Sequence, residues 1–158
     1  KEQINALNEG VRELNNDSVS RICGTRFEGL SLLHRDWINL NKQRNKHRLA
    51  FDAYFEDIDI ILAPATGTPA FKHDQQGPRY RRFLNINGKK YPEMAQLYWS
   101  GYSGVIGLPS VVGPIGRVRG LPVGYQAIAS HGRDFTALAF AEAVERELGG
   151  FIPPPLCI

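Results

Sequence analysis

The sequence contains little cysteine, which argues against a disulfide-stabilised secreted protein. Two cysteines, Cys23 and Cys157, occur in 158 residues, whereas small secreted domains usually carry several pairs. We therefore expect a reduced, cytoplasmic protein. The four histidines show no ligand spacing with one another or with the cysteines, so we expect no metal site and no cofactor.

Long apolar runs and a strong net charge are also missing. No apolar run approaches the ~20 residues that a membrane-spanning helix needs, and the first residues lack the apolar centre of a secretory signal. The net charge of +3 is too small to indicate a nucleic-acid partner by itself. Hydrophobic residues make up 42% and charged residues 22% of the chain, as in ordinary globular proteins. We expect one domain over residues 1–158 and no membrane partner.

Four segments have patterns that favour helices. They are residues 3–14, 31–55, 93–106 and 135–148. Ser31 is a candidate N-cap for the second helix, and Asp134 or Thr136 for the last; Gly149-Gly150 should end the last helix. The spacing in the second helix places seven residues on one stripe, apolar at both ends and polar in the middle. They are Leu33, Trp37, Leu40, Arg44, His47, Phe51 and Tyr54.

Three apolar segments have the pattern of strands. They are Ile58–Ala63, Ser110–Ile115 and Leu121–Ala129. The last two do not alternate cleanly between polar and apolar residues, so we expect both faces to be covered, as in an α/β protein. The continuous apolar run of the first strand predicts neighbours on both of its sides. Two hairpin turns are expected, one at residues 116–120 and a tight one at Asn87-Gly88.

Several motifs, all in one order, resemble the amidase signature family. The last part of the chain reads GLPSVVGPIGR, GLPVGYQAIAS and RDFTALAFAEAV. Upstream, Ser31–Trp37 and Asp59–Asp74 are also similar to that family, and several ordered motifs are more specific than one. The resemblance spans roughly residues 30–150 and implies a mixed β-sheet covered by helices. It also implies that this chain is the C-terminal third of a longer amidase domain.

The resemblance implies hydrolysis of a carbon–nitrogen amide bond by a Ser–Ser–Lys mechanism. In it a lysine accepts a proton through a bridging serine, and a second serine attacks the amide carbonyl. Backbone N–H groups of a glycine-rich loop hold the oxyanion. The Gly-Gly-Ser-Ser run that carries these groups does not occur in this sequence. We therefore assign no catalytic residue, expect the chain alone to be inactive, and expect its partners to be a small-molecule amide and an N-terminal amidase portion.

Two other groups are weaker candidates for catalysis. Ser103 lies in Gly101–Gly104, which is one residue shorter than a nucleophile elbow and falls in a predicted helix. Close helix packing through Gly101, Gly104 and Gly107 is the favoured interpretation. The neighbours His73 and Asp74 are interpreted as groups that order a polar loop rather than as part of a triad or metal site.

Two basic clusters, Lys42–Arg48 and Arg79–Arg82, are the best evidence for a nucleic-acid partner. The second contains Tyr80 between its arginines, as stacking modules do. However, 16 acidic residues nearly balance 19 basic ones, and charge runs on helices are normally solvated. We expect no nucleic-acid partner.

By analogy with the family, the chain should form part of the substrate-pocket wall. The candidate substrate-binding residues are Thr66, Gly67, Thr68, Tyr98, Trp99 and Tyr102. The first three follow a predicted strand, and ligands of α/β sheets bind beyond the carboxyl ends of strands. The three aromatic residues combine apolar rings with polar tips, although Trp99 and Tyr102 could equally belong to the core.

A second function remains open: a non-catalytic binding or assembly domain derived from an amidase. In that case the fragment would serve partner binding or contacts between copies, and a homo-oligomer is possible.

Overall fold

The computed structural model describes residues 29–77 and 79–154 of the chain. In chain order the elements are α1 (His34–Tyr54), β1 (Ile60–Pro64), β2 (Phe83–Ile86), β3 (Lys89–Pro92), α2 (Leu97–Ile106), β4 (Ser110–Val118), β5 (Leu121–Ala129) and α3 (Asp134–Leu148). The helix expected at residues 3–14 lies outside the described residues. No helix in the described ranges is both long enough and apolar enough to cross a membrane.

Backbone contacts divide the chain into two compact units. Unit 1 comprises residues 1–43 and 72–96, and unit 2 comprises residues 44–71 and 97–158. Unit 2 contains a three-stranded sheet and the helices α2 and α3, and unit 1 contains the β2–β3 hairpin. The α/β class expected from the sequence is confirmed, and the extent of a single domain over residues 1–158 stays a prediction.

Helix α1 begins later than the sequence predicted. Its first residue is His34 rather than one after Ser31, because the N–H groups of Asp36 and Trp37 donate to the Leu33 carbonyl at 2.9 and 3.0 Å. No residue of the helix is buried. Of the predicted stripe, Phe51 packs against the core of unit 2, whereas Trp37 is half exposed. Periodicity therefore identified the helix but overstated how much of it is packed.

In unit 1, the predicted Asn87-Gly88 turn joins β2 to β3. The φ angles of 52° and 78° at these residues match the two left-handed positions of a tight hairpin turn. Residues Glu93–Gln96, expected as the start of an α-helix, form a separate 3₁₀ helix. The Glu93 N–H donates to the carbonyl of Arg82 at 2.9 Å, which ties this segment to the hairpin.

The sheet of unit 2 has the order β1-β5-β4, and both strand pairs are antiparallel. Strand β1 occupies Ile60–Pro64 rather than residues 58–63, and in the described part of the chain it pairs with β5 alone. The expectation of a neighbour on each side is therefore not met within these residues. A proline such as Pro64 is compatible with an edge strand because its missing N–H is needed on one side only.

The β4–β5 hairpin closes more tightly than predicted. Strand β4 continues to Val118, which pairs with Leu121, and a β-bulge interrupts the register between Pro114 and Gly116. The turn is reduced to Arg119 and Gly120, with φ of 53° and 79°. Two left-handed residues match the right-handed twist of the strands, so the predicted turn over residues 116–120 was too long.

Strand β5 is covered on both faces in its second half, as expected, whereas Leu121 and Pro122 at its start are exposed. Its alternation places Ile128 on one face, where it packs with Ile106 and Leu108. On the other face, the Tyr125 ring lies 6.3 Å from that of Phe140 in α3, edge to face. Strand β4 differs from the prediction, because Val112 is 62% exposed. The covered part of the sheet is therefore centred on β5.

Helix α3 has one predicted cap and one unexpected one. Gly149 ends it with φ 88°, and its N–H donates to the Glu145 carbonyl, as expected for a C-terminal glycine. The N-cap is Arg133, without a side-chain hydrogen bond. The assignment of Asp134 or Thr136 as N-cap was wrong, because Asp134 is already the first residue of the helix.

Candidate functional site

Helix α2 presents one buried face and one exposed face. Ser103 and Ile106 are its buried residues, whereas Tyr98 is 61% and Tyr102 38% exposed. The N–H of Leu108 donates to the Ser103 carbonyl at 3.0 Å where the helix ends. Residues four apart lie above one another on a helix, so the two tyrosines share one exposed strip.

The three aromatic residues predicted for the pocket wall contact one another on α2. The rings of Tyr98 and Tyr102 meet edge to face at 5.4 Å, and Trp99 stacks on Tyr102 at 6.2 Å. The hydroxyl oxygens of the two tyrosines are 2.9 Å apart. Trp99 is half-buried, so the cluster combines packed aromatic surface with two exposed polar tips.

Among the described residues, Tyr102 has a pKa that its environment shifts. Its hydrogen bond with Tyr98 raises its pKa above the ordinary tyrosine value, and repulsion from a Tyr98 phenolate adds to this shift. The shift favours the neutral hydroxyl of Tyr102 over its phenolate. The neutral hydroxyl can donate or accept a hydrogen bond.

A largely apolar cavity of about 350 Å³ lies beside this cluster in unit 2. It is lined by Ala50, Phe51, Tyr54, Ile61 and Tyr102. Phe51 and Tyr54 were predicted to lie on the α1 stripe but were not predicted to line a site. Their spacing of three residues near the end of α1 was the feature of the sequence that could have indicated a shared apolar surface.

The second predicted region, the loop after β1, is ordered by its own hydrogen bonds. The Thr66 hydroxyl donates to the Thr68 carbonyl at 2.6 Å. The N–H of Ala65 donates to the carbonyl of Gly124 in β5 at 3.1 Å. The hydrogen bonds of this loop are made within the loop and to β5, whereas the ring contacts of the aromatic residues are made within α2. The predicted site residues therefore form two groups, one with Tyr98, Trp99 and Tyr102 and the other with Thr66 and Thr68.

Ser103 is a buried hydrogen-bonding residue. The side-chain amide of Gln126 donates to its hydroxyl oxygen at 2.8 Å, and the Ser110 hydroxyl donates at 3.2 Å. Ser103 is 8% and Gln126 3% exposed. Neither partner is a general base, so these contacts leave Ser103 without the activation that a serine nucleophile needs.

Among the described residues, the close helix packing expected at the glycines of α2 is not found. A Cβ atom added to Gly101 or Gly104 would meet nothing within 4 Å there, so no described neighbour requires glycine at either position. Gly107 instead follows the helix with φ 70°, a left-handed conformation common at C-termini.

The loop and charge candidates have local partners. The Asp74 carboxylate accepts the Gln76 N–H at 2.9 Å, consistent with its predicted loop-ordering role. Arg79 pairs with Glu93 at 2.8 Å, and Arg82 donates to the Gly77 carbonyl at 3.1 Å. Among residues 29–77 and 79–154, no three His, Cys, Asp or Glu side chains are grouped so that they could hold a metal.

Comparison with known proteins identifies a family and several relatives. The family model Amidase matches residues 2–138. The indoleacetamide hydrolase of Bradyrhizobium diazoefficiens is 32% identical over 118 residues, covering 72% of this chain and 20% of that protein. A glutamyl-tRNA(Gln) amidotransferase subunit of Koribacter versatilis is 31% identical over 126 residues, covering 75% of this chain and 23% of that protein.

Solved structures show the same fold. A crystal structure of an amidase superposes with a TM-score of 0.61 at 24% identity, covering 77% of this chain and 27% of its own. An inhibitor-bound vestigial complex related to an s-triazine catabolic enzyme gives 0.57 at 26% identity, covering 80% of this chain and 27% of its own. The matched part of the chain spans about a fifth to a quarter of the length of the indoleacetamide hydrolase and the amidotransferase subunit. Because the family model covers most of the chain, this protein belongs to the amidase (amidase signature) family.

Proposed function

We propose that this chain is part of a hydrolase that cleaves a carbon–nitrogen amide bond in a small-molecule substrate. The family match over residues 2–138 carries this proposal. The 32% identity to an indoleacetamide hydrolase supports it, because that protein's name states hydrolysis of an amide. The chain supplies sheet core and part of the pocket wall, and the Ser–Ser–Lys residues come from an N-terminal amidase portion.

The proposed pocket wall comprises the two regions described above. The aromatic cluster of Tyr98, Trp99 and Tyr102 offers apolar rings and two partly exposed hydroxyl groups. Such surfaces bind the apolar part of a ligand and orient its polar group. The loop Thr66–Thr68 adds polar backbone groups beyond the carboxyl end of β1.

The absence of a nucleophile from this chain is also part of the proposal. The Gly-Gly-Ser-Ser run is missing from the sequence, and the buried Ser103 hydroxyl is held by an amide and another hydroxyl. Activation of a serine needs a base that accepts its proton. We therefore expect the isolated chain to be inactive.

The test combines an activity assay with a serine probe. The purified 158-residue chain is incubated with a fluorophosphonate and examined by mass spectrometry, beside an amide-hydrolysis assay. We expect no adduct and no turnover, while the complete natural gene product hydrolyses amides. An adduct on Ser100, Ser103 or Ser110 together with turnover would place the nucleophile in this chain. A complete product that hydrolyses no amide would contradict the hydrolase proposal itself.

A non-catalytic binding or assembly domain is the second candidate. Two relatives favour it by name, since one is part of an amidotransferase and another belongs to a vestigial complex. A Gly-Gly-Ser-Ser run in frame upstream of Lys1 would support the hydrolase, and its absence from the reading frame would support the assembly domain. Light scattering of the purified protein decides whether it forms a homo-oligomer. A cytoplasmic location and the lack of a nucleic-acid partner remain predictions.

A further inference from the structure

We propose that Gln126 is a positioning residue that sets the rotation of α2 about its axis and thereby the placement of Tyr98 and Tyr102 against the substrate. The inference rests on the proposed function, in which these tyrosines form part of the pocket wall. Under this inference, the substrate specificity of the pocket wall depends on the buried hydrogen bond between Gln126 and Ser103.

One hydroxyl oxygen joins three elements of unit 2. From β5, the Gln126 amide donates to the Ser103 Oγ at 2.8 Å, and from β4 the Ser110 Oγ donates to the same atom at 3.2 Å. Ser103 itself lies on α2, and both Ser103 and Gln126 are buried. A buried amide that loses its partner costs free energy, so the helix is held where this hydrogen bond can form.

The neighbouring core contacts hold the helix less specifically. Ile106 packs with Leu108 and Ile128 in an apolar cluster, and apolar contacts have little directional preference. A hydrogen bond instead weakens steeply when its angle departs from linearity. Among these contacts, the Gln126–Ser103 pair is therefore the one that defines the rotation of the helix.

The rotation matters because of where the tyrosines lie on the same helix. Successive residues of an α-helix are about 100° apart, so turning Ser103 toward the sheet turns Tyr102 to the adjacent, exposed side. A tyrosine hydroxyl about 9 Å from the helix axis moves about 3 Å for a rotation of about 20°. A displacement of that size opens a gap between the tyrosines and the part of the substrate that they contact, and such a gap weakens the binding of that substrate.

The activity test uses the complete natural gene product and two probe substrates, phenylacetamide and propionamide. Gln126→Met and Ser103→Ala should each raise KM for phenylacetamide about tenfold while changing kcat and the propionamide KM less than about twofold, tenfold corresponding to about 1.4 kcal/mol. The double variant should match Ser103→Ala, because Ser103→Ala already removes the hydrogen bond from Gln126 together with the one from Ser110. An unchanged substrate preference, or additive effects in the double variant, would overturn the inference.

A matched control separates positioning from simple loss of stability. Phe140→Leu removes the ring contact with Tyr125 on the opposite face of β5. It should lower Tm without changing the ratio of kcat/KM for the two amides. If Phe140→Leu changes that ratio as strongly as Gln126→Met does, the effect reflects stability and the inference is wrong.

A readout without turnover keeps the inference separate from the proposed function. The tryptophans of this chain are Trp37 and Trp99, so replacing Trp37 and any tryptophan outside this chain with phenylalanine isolates the emission of Trp99 on α2. Gln126→Met and Ser103→Ala should shift this emission, and Phe140→Leu should not. An unshifted emission contradicts the positioning role, whereas a parent protein that hydrolyses neither amide contradicts the hydrolase proposal alone.

Discussion

The hydroxyl oxygens of Tyr98 and Tyr102 lie 2.9 Å apart on successive turns of α2. Tyr102 is partly and Tyr98 largely exposed, so the pair is a polar feature at the surface of an aromatic cluster. Its hydrogen bond makes the acidity of one tyrosine depend on the other, and this dependence can be measured without substrate.

Replacing Tyr98 with phenylalanine should lower the pKa of Tyr102 toward the ordinary tyrosine value of about 10. The hydrogen bond with Tyr98 is the main cause that raises this pKa, and phenylalanine cannot form it. A raised pKa in the folded state contributes stability below pH about 10, and that contribution is lost as pH rises through the folded value. NMR titration of tyrosine-labelled protein, with Tyr102→Phe for assignment, measures the change, and an unaltered pKa would contradict it.

Under the proposed hydrolase function, Tyr102→Ala in the complete gene product should raise KM for an aryl amide by about tenfold, which corresponds to about 1.4 kcal/mol of binding free energy. The reason is the loss of ring surface and of the hydroxyl beside the cavity lined by Phe51 and Ile61. Steady-state kinetics gives the result. Phe135→Ala is the control, because this residue of α3 is 85% exposed and does not line that cavity. An equal rise in KM for both variants would contradict the assignment of Tyr102 to the pocket wall.

Gly113→Ala should destabilise unit 2 by about 1–3 kcal/mol. A Cβ at this position of β4 would lie 2.8 Å from the Tyr125 ring, and the ring is buried against α3. Urea denaturation followed by circular dichroism measures the loss. Gly113→Ala combined with Tyr125→Leu should cost less than the sum of the two single changes.

Gly104→Ala is the matched control for that substitution. A Cβ at Gly104 meets nothing within 4 Å in the middle of α2, and alanine is a better helix former by about 0.5–1 kcal/mol. We expect a gain in stability. A loss at Gly104 equal to that at Gly113 would show that the close contact with Tyr125 is not the cause.

Arg79→Ala should destabilise unit 1 by about 1–2 kcal/mol. The partner Glu93 has a side chain only 10% exposed, so the change leaves a nearly buried carboxylate without its cation. The exposed pair Arg35 and Asp36 at 3.7 Å is the control, and Arg35→Ala should change stability little. Thermal unfolding of both variants measures the difference, and equal Tm values would contradict it.

The Asn87-Gly88 turn, the end of α3 and strand β5 followed from the sequence because local chemistry determines them, whereas β1, β4 and the turn after β4 were predicted with other bounds. Asn87-Gly88 and Gly149 adopt the left-handed conformations that their residue types favour, and β5 was predicted at its observed bounds. The α1 stripe shows the limit of periodicity, since Trp37 is half exposed although its spacing resembles that of a packed residue. Whether one face of a helix is buried depends on tertiary contacts, and the spacing of apolar residues in the sequence does not reveal those contacts.

In the candidate site, too, local relationships followed from the sequence and tertiary contacts did not. The aromatic residues of α2 were predicted as a group, and helical spacing was enough to bring Tyr98 and Tyr102 together. The Ser103–Gln126 hydrogen bond joins residues far apart in the chain. The cavity residue Ile61 likewise meets α2 only through the fold. Neither relationship has a local signal in the sequence.

The Asn87-Gly88 turn has a consequence for how the protein ages. Both residues are exposed at the tip of the β2–β3 hairpin, and glycine has no side chain to shield its backbone nitrogen. That nitrogen can attack the asparagine amide to give a succinimide with release of ammonia, and hydrolysis then leaves aspartate or isoaspartate. Stored preparations should therefore accumulate a more acidic form whose modification maps to this turn.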